Sequence, residues 1–280
     1  VIWTRFLDAV RKETHFRMNR RYAAICLAGL ATVGVAAALL WPRPAPKPPV
    51  VVGALPPFCR DIAFEGVVHV ACVFDPKAYD IFVARADSAG KAYGSLQAFD
   101  AAMRAQGRPV LLSMNGGMYH EGFGPVGLHV EAGMADAPLN LADGEGNFFL
   151  KPNGVFFVRP DGNAGVMETV AYAAARPPVA YATQSGPMLV VEGQIHPRFE
   201  PDGTSRFIRN GVGVRADGTV VLAISRQPVS LGSFARLFRD RLGCPDALFL
   251  DGAISSLSDG ERILVGGKFP VGPILAVRRR

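Results

Sequence analysis

Twenty consecutive uncharged residues, Tyr22 to Trp41 (YAAICLAGLATVGVAAALLW), divide this 280-residue chain into parts that call for different solvents. At about 1.5 Å rise per residue, a helix of this run spans roughly 30 Å, the hydrocarbon thickness of a bilayer. Arg17, Arg20 and Arg21 stand just before it, and Trp41 closes it where an interfacial aromatic belongs. The positive-inside rule then keeps residues 1–21 in the cytoplasm and exports the chain beyond Trp41. A cleaved signal peptide is the alternative, because Ala36-Ala37-Ala38 satisfies the small-x-small cleavage pattern. Apolar residues run past that site to Trp41, which favours an uncleaved signal anchor over 22–41. Met18-Asn19-Arg20-Arg21 has the form of a natural start, which would make residues 1–17 an upstream extension. Five prolines among residues 42–49 favour extended polyproline II, so 42–54 is expected to be a semi-rigid linker. The folding body is then 55–280. The expected location is a single-pass inner (cytoplasmic) membrane protein with its body on the periplasmic or other extracytoplasmic side.

Charge obeys the same division. The first 50 residues hold eight basic and two acidic side chains, and the other 230 hold 22 of each. The basic excess belongs to the N-terminal segment, and a neutral body carries no global nucleic-acid footprint, so no nucleic-acid partner is expected. Export also governs the cysteines. Cys26 lies within the apolar run, whereas Cys59, Cys72 and Cys244 would face an oxidising compartment, where pairing is the rule. Cys59 and Cys72 enclose a short loop and are expected to form a disulfide. Cys244 is left over, and is expected to be buried rather than reactive. No Cys/His set has zinc spacing.

Within the body, β signals dominate. Val67–Phe74 and Tyr79–Ala84 are β-rich runs around Asp75-Pro76-Lys77-Ala78, which suggests a hairpin. Phe148–Leu150 and Val155–Val158 around Lys151-Pro152-Asn153-Gly154 suggest another, with Asp161-Gly162 as the next turn. Further strands are expected at Val110–Met114, Met188–Val191, Gly211–Arg215, Thr219–Ile224, Ala247–Leu250 and Pro273–Val277. Two helices stand out: one capped by Ser95 and ended by Gly107, the other starting at Ser230 or Ser233 and ending at Gly243. The fold class is therefore α+β: a mixed, largely antiparallel sheet with a few packed helices, preceded by one transmembrane helix.

Several chemical motifs fail on context. Gly122–Gly127 matches GxGxxG, but Pro125 and the alternation after it indicate a loop and strand rather than a dinucleotide turn. Asp143-Gly144-Glu145-Gly146-Asn147 lacks the full EF-hand pattern and suits a solvated turn. No motif demands a cofactor; a divalent cation (Ca²⁺ or Mg²⁺) is compatible. What recurs is a polar residue ending a buried strand and followed by glycine: Asn115-Gly116-Gly117 and Asp251-Gly252. Strand ends hold side chains on a rigid base, and glycine lets a ligand approach the backbone. Asx-turns would account for either one alone. Two of them, with Gln184-Ser185-Gly186-Pro187 and the Arg206/Arg209 pair, point to a shared polar site.

The ordered fragments NGGMY, PVGLHVEAG, QSGPMLVVEG, RFIRNGVGVRADG and LFLDGAISS resemble the phosphodiester glycosidase family, across essentially the whole of 55–280. The resemblance implies hydrolysis between a sugar's anomeric carbon and a phosphodiester, on a sugar-phosphodiester or envelope-glycan substrate. It assigns Asp251, Arg209 and Asn115 to catalysis. It assigns Gly116, Gly117, Gln184, Ser185, Gly186, Gly252, Ser255 and Ser256 to substrate binding; the chemistry, rather than the resemblance, adds Glu131 as a candidate second carboxylate, a solvated strand-surface residue being the alternative. Ala253 stands where a second glycine is usual, and Met118-Tyr119 replaces the usual aromatic pair. Arg209 would hold the phosphate bidentately, Asp251 would activate water or stabilise the cationic sugar, and Asn115 would orient the substrate. His120 and His129 are expected to be surface or structural residues. A non-catalytic envelope module binding glycan or phosphosugar is the alternative.

Overall fold

The computed structural model describes residues 54–280, which form one compact unit. The expected cytoplasmic segment, membrane span and all but the last residue of the linker lie outside the described residues. Among the described residues no helix is long and apolar enough to cross a membrane. The first part of the unit gives β1 (Cys59–Phe64), β2 (Val67–Phe74), β3 (Tyr79–Ala84), α1 (Leu96–Ala105) and β4 (Leu112–Asn115). Next along the chain are β5 (His129–Glu131), β6 (Met134–Ala137), β7 (Gly154–Val158), β8 (Ala164–Glu168), α2 (Thr169–Ala175) and β9 (Tyr181–Ser185). The third group is β10 (Met188–Val191), β11 (Gln194–Ile195), β12 (Asn210–Val214), β13 (Val220–Ser225) and α3 (Leu231–Arg236). Last come β14 (Asp246–Asp251), β15 (Leu257–Ser258), β16 (Ile263–Val265) and β17 (Ile274–Arg279).

The strands form three sheets, ordered β1-β2-β13-β12-β14-β10-β11, β16-β15-β4-β17-β3 and β6-β5-β9-β7-β8. The class is α+β, as the sequence indicates, but the pairings are all antiparallel rather than mixed. A parallel neighbour needs a crossover of about a dozen residues or more, whereas tight turns such as Glu65-Gly66 and Asp217-Gly218 fold the chain back on itself. All three sheets contribute one face to a common core, through Phe74, Leu222 and Leu248 from the first, Met114 and Leu275 from the second, and Phe156 from the third. Each outer face carries a helix. Phe234 and Phe238, on α3 and the turn after it, cover Val221 and Phe249; Phe99 and Met103 of α1 cover Phe82 and Ile274; Tyr172 of α2 covers Phe157. This double covering explains why β13 is buried along its full length and is apolar without alternation from Val220 to Ile224.

Local chemistry sets the element ends. Ser95 Oγ accepts the Ala98 N–H at the start of α1, and Gly107 (φ +70°) stands just past its end. Ser230, not Ser233, caps α3, its Oγ accepting the Ser233 N–H. Cys59 and Cys72 face each other across β1 and β2 and form the expected disulfide. Cys244 is buried, and that burial pushes its thiol up to about 12. Two expected hairpins are corrected. The strands β2 and β3 exist with the expected bounds, but β2 pairs with β1 and β13, and β3 with β17 in another sheet. The Asp75–Tyr79 turn carries the chain between layers. Asn147–Phe149 is a short 3-10 turn, not a strand, and β7 pairs instead with β8 across Asp161-Gly162. That short apolar run turns because the Leu150 N–H reaches back to the Asn147 carbonyl.

Candidate active site

Three strand ends meet at one place. The fully buried run Ala247–Leu250 delivers Asp251, which stands opposite Asn210, the first residue of β12; β4 ends at Asn115. The amides of Asn115 and Asn210 bond to each other, Asn210 Nδ2 donating to Asn115 Oδ1 at 3.1 Å and to its carbonyl at 2.8 Å. Asn115 Oδ1 also accepts the Ser256 N–H at 2.8 Å, and Ser255 Oγ donates to Asn210 Oδ1 at 3.1 Å. The result is a buried polar clamp that fixes the 251–256 loop on the sheet. Asp251 Oδ1 accepts the N–H groups of Ala253 (2.6 Å) and Ile254 (3.1 Å), an Asx-turn that leaves Oδ2 outside these two bonds. Burial raises the Asp251 pKa above the ordinary carboxylate range, against the pull of the turn's N–H groups and of Arg209.

Arg209 has no exposed surface. Its guanidinium lies between the rings of Phe207 and Phe249, at 5.5 and 5.3 Å. Nε donates to the Val229 carbonyl at 2.8 Å and Nη2 to the Ser205 carbonyl at 2.9 Å, while Nη1 is buried without a partner in the protein. A Cβ added at Gly252 would stand 3.1 Å from that nitrogen, so glycine there leaves room beside the unspent donor. Burial pulls the guanidinium down to about 10, with the nearby Asp251 opposing, and it stays cationic at neutral pH. The 252–256 loop, residues 206–208 and the 266–269 loop line a cleft of about 390 Å³ at this point. A cavity of about 460 Å³ elsewhere is lined by Arg108, Arg278, Arg279 and Arg280, of which Arg278 and Arg280 are paired with Asp80, at the end of β17 opposite the Asn115 pairing.

The sequence candidates thus separate into two groups. Gly252, Ser255 and Ser256 line the cleft, Arg209 and Asp251 are buried next to Gly252 behind its wall, and Asn115 lies beneath, fully buried, holding the loop rather than facing a substrate. Gly116 and Gly117 allow close packing, since a Cβ at either would meet Leu275 N or Thr183 Oγ1 at 2.8 Å. Gln184 is engaged throughout. Its Oε1 accepts the N–H groups of Leu128 and Asn140, and its Nε2 donates to the Asn140 carbonyl, so it locks the loop before β7. Ser185 Oγ donates to the Leu250 carbonyl, and Gly186 packs on Asn153 and Phe148. These three support the site from behind rather than line it. Glu131 bonds His129 Nε2 at 2.8 Å and is not part of the cleft wall. Asn210 is the residue that sequence reasoning missed; its signal was its place directly after Arg209 at the head of a strand. Among the described residues no group of three or more His, Cys, Asp or Glu could hold a metal ion, and Asp143 is exposed and paired with Lys151.

Residues 109–265, more than half the chain, match the family described as phosphodiester glycosidase. The uncharacterized protein YigE of Escherichia coli K12 is 38% identical over 191 residues, covering 68% of this chain and 74% of its own. Among solved structures, the catalytic domain of zebrafish N-acetylglucosamine-1-phosphodiester alpha-N-acetylglucosaminidase, auto-inhibited by its pro-peptide, superposes with a TM-score of 0.56 at 14% identity, covering 80% of this chain and 82% of that one. A hypothetical protein from Synechocystis gives the same TM-score and identity, over 79% of this chain and 61% of its own. At such identities the likeness is one of fold. The sequence match extends over the Asn115, Arg209 and Asp251 strand ends alike, and the chain belongs to the phosphodiester glycosidase family.

Proposed function

We propose that this protein hydrolyses the glycosidic bond of a sugar-1-phosphodiester, releasing the sugar and a phosphomonoester. The observation that carries this reading is the buried Arg209 with one guanidinium nitrogen unspent beside Gly252 and Asp251. A buried donor without a partner is costly, and a phosphate oxygen is the acceptor that best matches a guanidinium. As the bond from the anomeric carbon to the phosphate oxygen breaks, negative charge grows on the phosphate and Arg209 stabilises it. Water adds its oxygen to the anomeric carbon. Asp251, with Oδ1 held by the turn and its pKa raised by burial, takes the water's proton or offsets the positive charge on the sugar ring. Asn115 and Asn210 position the loop that presents it. Incubating the purified protein with a panel of sugar-1-phosphodiesters should release free sugar and phosphomonoester in equal amounts. A panel left wholly intact would sink this reading in favour of a binding module.

The reading extends to location. The enzyme works outside the cytoplasm, tethered through 22–41, and the Cys59–Cys72 disulfide supports an oxidising compartment. Alkaline phosphatase fused after Pro49 should therefore be active in intact cells, and a fusion active only after cytoplasmic oxidation would contradict export.

A further inference from the structure

Apart from the Phe207 ring that packs on Arg209, the outer wall of the cleft plays no part in the chemistry above. Two cation–aromatic dipeptides build it: Arg206-Phe207 from the segment leading into β12, and Lys268-Phe269 from the loop between β16 and β17. The two segments are distant in sequence yet present the same pair of side-chain types to one cavity. All four residues are exposed, and Phe207 at 49% and Phe269 at 57% are among the few large apolar side chains left in solvent. Neither Arg206 nor Lys268 enters an ion pair among the described residues. No residue of the cleft wall is acidic. Unpaired cations concentrate anions in a cleft, and exposed rings stack on rings. Arg209 is buried at the inner end and Arg206 is three residues away at the rim, so a ligand held by the first reaches the second as it leaves the interior.

We propose that this rim is a subsite for the leaving group, selecting phosphodiesters whose non-sugar side carries a ring and a second negative charge. The proposal rests on the reading of Arg209 and Asp251 as the reacting end. Arg206 and Lys268 supply the charge recognition, and Phe269 supplies the ring platform. The ordering of preference is then set by the leaving group rather than by the sugar.

The test uses the full chain and three sugar-1-phosphodiesters that differ only in their ester group: methyl, benzyl, and benzyl bearing a phosphonate. The wild type should favour the phosphonobenzyl ester over the benzyl ester by about tenfold or more in kcat/KM, and about 0.5 M salt should shrink that ratio. In the Arg206→Ser/Lys268→Ser double variant the ratio should fall to about one, and Phe269→Ser should narrow the gap between benzyl and methyl esters. Thermal midpoints check that these exposed substitutions leave the fold intact. Equal kcat/KM on all three esters would overturn the subsite while leaving the hydrolytic reading in place. If no ester is cleaved, the hydrolytic reading fails, and calorimetry with phosphonobenzyl phosphate decides the subsite alone. Binding by the wild type and not by the double variant upholds it; equal or absent binding by both overturns it.

Discussion

Among the described residues Arg209 is the largest side chain withdrawn fully from solvent, and it enters the interior with carbonyls and two phenyl faces for company rather than a hydrogen-bonded carboxylate. That arrangement leaves its charge available to a ligand. Asp251→Asn keeps the side-chain oxygen that accepts the Ala253 and Ile254 N–H groups, so the turn and the thermal midpoint should survive. Turnover should fall by about 10²–10⁴-fold, the usual loss when a general base is removed. A drop in stability with turnover preserved would instead make Asp251 a turn former only. Arg209→Lys keeps the charge but not the guanidinium, of which Nη1 alone, rather than the expected bidentate pair, is free for phosphate; it should raise KM and lower kcat together while also lowering stability, because the Val229 and Ser205 carbonyls lose their donors. Steady-state kinetics and a melting curve on the same preparation separate the two effects. Arg209 and Asp251 were legible because a charged residue next to a strand end and glycine is a local pattern. The roles of Asn115 and Gln184 were not, since the first meets an amide 95 positions away and the second a loop 44 and 56 positions away.

At the scale of elements, α1 is tied to the second sheet by a buried carboxylate. Asp100 accepts Ser113 Oγ of β4 at 2.8 Å and Ser258 Oγ of β15 at 2.6 Å, while burial raises its pKa against those bonds. Asp100→Ala strands two buried hydroxyls and should cost about 2–4 kcal/mol, read from the urea midpoint. A change within error would mean that the serines find other acceptors. Nothing in the spacing Leu96, Phe99, Met103 announces this clasp, because Asp100 sits beside Phe99 on what reads as a helix flank. Strand bounds were more legible than strand partners. β2 and β3 appear where their apolar runs place them, yet the partner of each is fixed by which core face it completes, and that depends on β13 and β17 far along the chain. The α2 helix escaped notice because its seven residues TVAYAAA bury only Thr169 and Tyr172, too few to show a periodic stripe.

Across the whole molecule, three sheets close on one core and three outer faces are each sealed by a helical segment, so polar groups caught in the layers have little access to water. His69 is the sharpest case. It lies on β2 beneath α3, fully buried, its ring 6.1 Å from that of Phe234 and neither ring nitrogen hydrogen-bonded. Burial lowers its pKa to about 4, with Glu65 opposing, so the folded protein holds it neutral. The unfolded chain takes up a proton below its ordinary value of about 6.5. Stability attributable to this residue is therefore complete above about pH 6.5 and is lost as pH falls toward 4, by up to about 3 kcal/mol. Asp100, Asp246 and Asp251, with pKa values raised by burial, act in the opposite sense: protonation on acidification relieves the folded state. Comparing wild type with His69→Phe removes their common contribution. The variant keeps an aromatic ring against Phe234 and cannot charge, so its melting temperature should change much less than that of the wild type between pH 7 and pH 4.5. An equal acid-induced fall in both proteins would show that His69 is not the group that unfolding protonates.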